Sequence, residues 1–553
     1  MKNKNQTVAW QQYEYGKDYK RTAGIYKRVD ENERFYRGDQ WRGANSGGLP
    51  TPVFNVIRRI VDYLVSTVMS YDIGIGYEDT SIPCEPTSRS TQKKAEAIET
   101  LNRVIRVMWS EYDMDRVLRQ AVYDAALSGD GVLYCYFDPT GAAKGIHKGD
   151  IVTKCIDSVN LFVSDMNDPD IQSQDFVIIS ARESVEKLKK EAKLFGMPAE
   201  EIARIEGDSD TYDFAGDLST LENKSEGSEK TTTLIRYSRN SEGFVVFEKF
   251  TRYTRVSYGV TGLTRYPVAF FNWERVKGSF HGETPISELI HNQKYINKSY
   301  ALAMKHMIDT AFSKVIYDKR LIPEWDNEVG QAIGVMSGGD VSGAATVVGV
   351  GQMQENYLEI LESVIKNTKE MTGATEVALG EVDPTNTSAI LALRETSELS
   401  LDCVRTSING CLKELAMIWL EMMKEYFGGE RQFYVDKNTA VCIDFQRICP
   451  ENVVARVEFG ATRRFSKSVL ISTLTSLLTS GHITFAEYLE RLPDGIIDQK
   501  DELLLRARRD TLHTQRHHDA ECPVSGDPRE DFEGEKVFKK KETLSASQVS
   551  QNE

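Results

Sequence analysis

No window of this sequence comes near the roughly 20 consecutive apolar residues that a membrane-spanning helix requires. The most apolar stretch, Val53 to Met69, is broken by Arg58, Arg59 and Asp62, so no membrane partner is expected. The opening MKNKNQTVAWQQYEYGKDYK has basic residues but no following apolar run and no small-residue cleavage site. A secretory signal is therefore not expected, and the chain reads as cytosolic. Cysteine is sparse. The eight (Cys84, Cys135, Cys155, Cys403, Cys411, Cys442, Cys449 and Cys522) include no C-x-x-C pair and read as reduced thiols serving as small core residues.

Positive charge is also short. With 68 basic against 83 acidic side chains, the formal net charge is −15, so the chain as a whole repels a polyanion. A protein that grips nucleic acid over its surface is excluded; one that nucleic acid passes without sticking is not.

The motifs of common catalysts are missing. There is no G-x-x-x-x-G-K-[ST] loop, so no ATP hydrolysis is expected. The glycine pairs Gly74/Gly76 and Gly349/Gly351 are not completed by a third glycine and read as turns. No H-E-x-x-H, G-x-S-x-G or supported S-x-x-K occurs. His513 and His517, four apart, have metal-ligand spacing, but beside RARRD they read as part of a solvated tail. The acidic pairs Glu324/Asp326 and Asp208/Asp210 read as solvated loops, and Lys314, Lys319 and Arg320 with Tyr317 as a solvated basic-aromatic rim. No catalytic residue, cofactor or metal is assigned.

What is present is a globular composition, 40% apolar and 27% charged, in a chain too long for one core. Residues 1 to 40 read as a polar, aromatic-rich helical arm, followed by a Gly/Pro-rich loop. Helical spacing marks a segment from Phe54, then Lys93 to Trp109 and Asp113 to Leu127. Strands are expected at Val132 to Asp138, Ile151 to Ile156, Asp175 to Ala181, Thr232 to Tyr237, Gly243 to Tyr253 and Tyr266 to Trp273. A helix is expected near Ser184 to Gly196, and an acidic, Ser-rich insertion at about 207–230. The second half is dominated by helices: a run opened by Pro285, a glycine-rich insert, a helix within 352–373 closed by Gly373, and a run from Ala389 to Phe427. That last run would span about 60 Å if straight. Its stripe Val404, Ile408, Leu412, Leu415, Trp419 and Met423 reads as core. Strands at Gln432 to Val435 and Val441 to Phe445 precede helices at Lys467 to Leu478 and Thr484 to Leu492. The fold class is α+β, predominantly helical and multi-domain.

Three segments carry a resemblance. NERFYRGDQW followed by LPTPVFNVIRRIVDYLVSTVMS places Tyr36, Gly38, Gln40 and Trp41 before a helix bearing Asn55. YPVAFFNWERVKGSFHGETPISELIHNQKYINKSYA places Pro267 and Gly282 before Gln293 and Asn297. MTGATEVALGEVDPTNTSAILALRETSE places a glycine-bounded loop before a helix start. In this order and spacing, over most of residues 30 to 430, the chain resembles the portal proteins of tailed bacteriophages and prophages. It departs where many relatives have Ser-Gly and it has Ser388-Ala389.

The resemblance implies a portal fold: wing 1–283, stem helix 284–312, clip 313–351, stem helix 352–373, tunnel loop 374–387, long wing helix 388–428, wing strands 429–465 and crown helices 466–520; the tail 521–553 lies outside the resemblance and is expected to be disordered from its polar composition. It implies a non-enzymatic subunit of a homo-oligomeric ring of twelve at the capsid vertex of the virion. Double-stranded DNA would pass through the channel, and large terminase, major capsid and scaffolding proteins and a head-tail adaptor would be partners. The tunnel loop would include Gly373, Thr375, Gly380, Pro384 and Thr387. Channel cations would be Lys366 and Lys369, and clip interface residues Tyr317, Arg320 and Trp325. The competing classes are a metal-dependent nuclease or terminase-like packaging enzyme, which turnover with Mg²⁺ or Mn²⁺ would reveal, and a helical scaffold or adaptor, which would sustain heptads.

Overall fold

The computed structural model describes residues 4–71, 73–81, 89–139, 149–208, 229–311, 314–324, 335–336, 342–348, 356–375, 399–436, 439–448, 450–459, 466–492 and 503. The chain divides into two compact units, Met1–Arg463 and Arg464–Glu553. The architecture is mixed α/β with several small antiparallel sheets.

In the first unit the N-terminal arm is two helices, α1 (Lys4–Thr22) and α2 (Ile25–Arg37), separated at Gly24. The φ of +73° at Gly24 is left-handed, a conformation a side chain would disfavour. At the end of α2, Gly38 N–H reaches the Phe35 carbonyl and Asp39 N–H that of Arg34, the glycine-closed helix terminus. α3 (Val56–Val68) starts where the Asn55 side chain accepts the Arg58 N–H. It buries Ile57, Ile60, Val61, Leu64, Val65 and Val68 and leaves Arg58, Arg59 and Asp62 outside, the amphipathic pattern expected of it.

Gly74 and Gly76 are a correction. They do not sit in a turn but in β1 (Ile73–Asp79), whose Ile73, Ile75 and Tyr77 point inward. Period-two burial outweighs the glycines' preference for turns. Gly349 and Gly351 lie outside the described residues. α4 (Arg89–Glu111) and α5 (Met114–Ser128) follow, the latter stopped by Gly129. A Cβ on Gly129 would lie 2.5 Å from the Gly282 carbonyl oxygen, so close packing as well as its φ of +98° requires glycine there.

β2 (Asp130–Asp138), β3 (Asp150–Cys155), β4 (Leu161–Val163) and β5 (Phe176–Ser184) lead to α6 (Val185–Leu194) and α7 (Ala199–Ala203). Most of the acidic insertion, 209–228, lies outside the described residues. β6 (Lys230–Arg239), β7 (Val245–Phe250), β8 (Arg255–Val260) and β9 (Val268–Asn272) complete two sheets, ordered β3-β2-β9 and β4-β5-β6-β7-β8. The edge strand β8 has no counterpart among the strands expected from the sequence.

α8 (Pro285–Ala311) begins at its proline as expected. β10 (Lys314–Tyr317) pairs antiparallel with β11 (Ala345–Val348), and α9 (Tyr357–Met371) returns from them. The expected long helix is shorter in its described part. α10 (Asp402–Tyr426) is preceded by a 3₁₀ turn, Leu399–Leu401. Its 25 residues span about 37 Å, while 376–398 lie outside the described residues. β12 (Glu430–Asp436) pairs with β13 (Thr439–Asp444), and β14 (Val453–Phe459), likewise without an expected counterpart, pairs with β1.

The main core packs α3, α4, α5, α10 and one face of β2 and β9. The whole stripe Val404, Ile408, Leu412, Leu415, Trp419 and Met423 is buried in it. Trp419 is fully enclosed and donates through Nε1 to Thr153 Oγ1 at 3.0 Å, so the indole N–H is not stranded. Cys135 and Cys411 are buried there as free thiols, as expected of core residues, but Cys403 and Cys442 are a correction: both are exposed, and Cys155 is half-buried.

The second unit contains α11 (Ser466–Thr479) and α12 (Phe485–Arg491), the latter opened by a reciprocal Thr484/Glu487 capping box. Among the described residues no helix is long and apolar enough to cross a membrane.

Candidate functional site

Residues that are far apart in sequence meet at the start of α3. Gln293, on α8, accepts the N–H groups of Val56 and Ile57 through Oε1 at 3.0 and 3.3 Å. Its Nε2 donates to the Phe54 carbonyl at 2.6 Å and to Asn297 Oδ1 at 3.0 Å. Asn297 Oδ1 also accepts Phe54 N–H, and its Nδ2 donates to Gln40 Oε1 at 2.5 Å. Gln40 then donates to the Phe35 carbonyl, and Asn55 Nδ2 to that of Tyr36. Trp41 Nε1 closes the loop by donating to the Pro52 carbonyl. Gln40, Gln293 and Asn297 are all buried. Their amides supply the partners that the first N–H groups of α3 cannot find within the helix. The loop 38–55 is thereby clamped onto α8.

A second buried polar centre lies at the close approach of Gly129 to Gly282. Asp130 Oδ1 accepts Asn272 Nδ2 and Gly282 N–H, both at 2.8 Å, while Oδ2 is 2.6 Å from His281 Nδ1, which donates to it. Burial lowers the His281 pKa, opposed by Asp130. Nearby, the fully buried Lys20 ammonium donates to the carbonyls of Ser158, Val159 and Leu161 at 2.8, 3.0 and 2.6 Å. Burial lowers its pKa to about 7, opposed by Asp130 and Asp157. Gly282 carried a sequence signal, but Lys20, Asp130 and His281 did not, because nothing local distinguishes a lysine on a polar helix or an aspartate at a strand start.

α8 and α9 pack on each other, and Tyr357 Oη donates to the Ser299 carbonyl at 2.8 Å. Both leave apolar side chains in solvent. Leu302, Met304, Met307 and Ile308 are exposed on α8, and Leu358, Ile360 and Met371 on α9, whose only buried residues are Leu361 and Thr368. Lys366 is exposed and Lys369 half-buried on the same helix. Gly373 follows with φ +71°, and Thr375 is the last described residue before the loop. Gly380, Pro384 and Thr387 lie outside the described residues, as do Trp325, His513 and His517. Tyr317 is half-buried at the end of β10, and Arg320, 91% exposed, approaches Asp318 at 3.5 Å.

Asp208 is a correction: it is not a solvated loop residue. Its carboxylate accepts from Thr231 Oγ1 and Thr232 N–H and lies 3.4 Å from Arg182. Its partner in the acidic pair, Asp210, lies outside the described residues. Among the described residues no group of three or more His, Cys, Asp or Glu could hold a metal ion. Burial raises the Cys135, Cys155 and Cys411 pKa values, which makes these thiols inert rather than nucleophilic.

No protein-family model matches the chain, and no curated protein matches it significantly.

Proposed function

We propose that this chain is the portal subunit of a tailed bacteriophage or prophage, a non-enzymatic protein that forms a ring of twelve around a channel for double-stranded DNA at the capsid vertex. The ring would serve DNA packaging and ejection and dock large terminase, capsid and scaffolding proteins and a head-tail adaptor. The observation that carries the reading is the joint made by Gln40, Asn55, Gln293 and Asn297. The residues on which the sequence resemblance rests, 257 positions apart between Gln40 and Asn297, form one hydrogen-bonded unit, as a motif set with a common structural task should.

The exposed apolar side chains of α8 and α9 supply a second line of support. Apolar surface of this kind on one chain is stable in water when another copy covers it, and heterologous contacts that close on themselves make rings. The net charge of −15 suits a DNA conduit. DNA carries about one negative charge per 1.7 Å, so an acidic or neutral wall lets it slide, where a basic one would hold it.

Negative-stain imaging of the purified chain tests the reading directly. Rings with a central hole are expected; a compact monomer at every concentration would overturn it.

A further inference from the structure

One face of α6 combines exposed apolar surface with positive charge. Val185, Leu188 and Ala192 turn inward and pack with Ile205 and Val256. Half a turn round the helix, Lys187, Lys190 and Leu194 share the opposite face. Leu194 is 80% exposed, and Phe195 beside it is also exposed. Fraying does not account for this. Met197 N–H reaches the Ala192 carbonyl and Gly196 N–H that of Lys193, a fully bonded glycine terminus, and Met197 supplies the apolar contact at the helix end. Phe195 lies edge-on to Phe247, with ring centroids 6.2 Å apart. Leu194 and Phe195 are thus fixed in place with apolar surface in water.

The same face is basic. α6 carries Lys187, Lys189, Lys190 and Lys193 against Glu186 and Glu191. Glu191 is turned to the sheet, where it accepts from Lys249 Nζ and Ser257 Oγ at 2.8 Å each. Glu183 is shared by Lys249 at 2.8 Å and Lys187 at 3.3 Å. Lys190 and Lys193 are left exposed beside Leu194. Lysines around an apolar surface suit an acidic segment with apolar side chains better than a nucleic-acid backbone, whose phosphates make no use of a leucine.

The chain carries such a segment at this place. Residues 209–228 hold Asp210, Asp213, Asp217, Glu222 and Glu226 against Lys224, interleaved with Tyr212, Phe214, Leu218 and Leu221. The residues that flank it are anchored at the start of α6. Val185 N–H donates to the Glu229 carbonyl at 2.9 Å and Asp208 N–H to that of Lys230 at 3.2 Å, while the Asp208 carboxylate accepts from Thr231 and Thr232. Leu194 lies about 14 Å along the helix from Val185. About ten residues of coiled chain, the separation of Leu218 from either anchor, span about 17 Å. A segment tethered in this way meets α6 at an effective concentration of millimolar order, so even a weak contact is populated.

We propose that residues 209–228 dock on the outer face of α6, their apolar side chains covering Leu194 and Phe195 and their carboxylates meeting Lys187, Lys190 and Lys193.

Zero-length carbodiimide coupling of the full chain, followed by peptide mapping, reads the contact. Links from Lys190 or Lys193 to carboxylates of 209–228 are expected in the band of single-chain mass. Their absence would overturn the proposal, and links found only between chains would give the face to a second copy instead. Lysine acetylation separates docking from mere tethering. Lys190 and Lys193 should react at least about threefold more slowly in the wild type than in a chain whose Asp208 is joined to Glu229 by two glycines. Lys27, exposed on α2, should react equally in both. Leu194→Ser, at a position too exposed to matter for folding, should remove most of the difference, and 1 M salt should reduce it. Equal acetylation in the two chains, or a difference that Leu194→Ser leaves intact, would sink the idea. Protection of these lysines by a DNA duplex but not by the insertion would assign the face to nucleic acid. These readouts come from within one chain and hold whether or not rings form, so their failure is distinct from failure of the portal reading.

Discussion

Asn297 Nδ2 donates to Gln40 Oε1 at 2.5 Å, joining the middle of α8 to the loop that follows α2. The same asparagine accepts from Gln293 Nε2 and from Phe54 N–H, so one side chain serves three groups, of which the Gln40 and Gln293 amides are buried. Asn297→Leu should destabilise the chain by about 2–4 kcal/mol, since each stranded buried group costs about 1–3 kcal/mol. Gln40→Leu combined with it should cost less than the sum of the single changes. Chemical denaturation of the four proteins in a double-mutant cycle checks this.

The Asp130–His281 pair gives a pH dependence with a definite sign. Burial lowers the folded-state pKa of His281, so its contribution is present above its unfolded value, about 6.5, and is lost as pH falls through the folded one. Asp124, raised to about 6 by burial, acts in the opposite sense, which makes a difference measurement necessary. The stability gap between the wild type and His281→Gln should narrow between pH 7 and pH 5, as followed by thermal unfolding.

The exposed face of α8 and α9 should be needed for assembly but not for folding. Met307→Glu with Ile360→Lys alters two side chains that are 59% and 52% exposed, so the cost to the isolated chain should stay within about 0.5 kcal/mol per site. Light scattering after size exclusion should show loss of the ring, with the unfolding midpoint of the monomer essentially unchanged.

The loop after Gly373 should act on DNA rather than on assembly. Deletions between Thr375 and Thr385 should impair DNA retention or packaging while rings persist under negative stain. Loss of the rings themselves would contradict the role.

Much of this protein is local in origin and was therefore legible from the sequence. The stripe of α10, the proline start of α8 and the glycine stop after α9 follow from periodicity and backbone preference, which act over a few residues. The order of the motif residues was also visible, since it needs no geometry. Tertiary structure decided the remainder. Gly74 and Gly76 became strand because β14, some 380 residues later, supplies the hydrogen bonds that a lone G-x-G segment lacks. Ile360 stayed exposed although its spacing marks an apolar face, because burial depends on what else in the chain reaches that face. Above all, only the fold could bring Gln40 to Asn297 and Lys20 to three carbonyl oxygens. The free energy of a buried polar group is set by partners distant in sequence, and no local pattern records them.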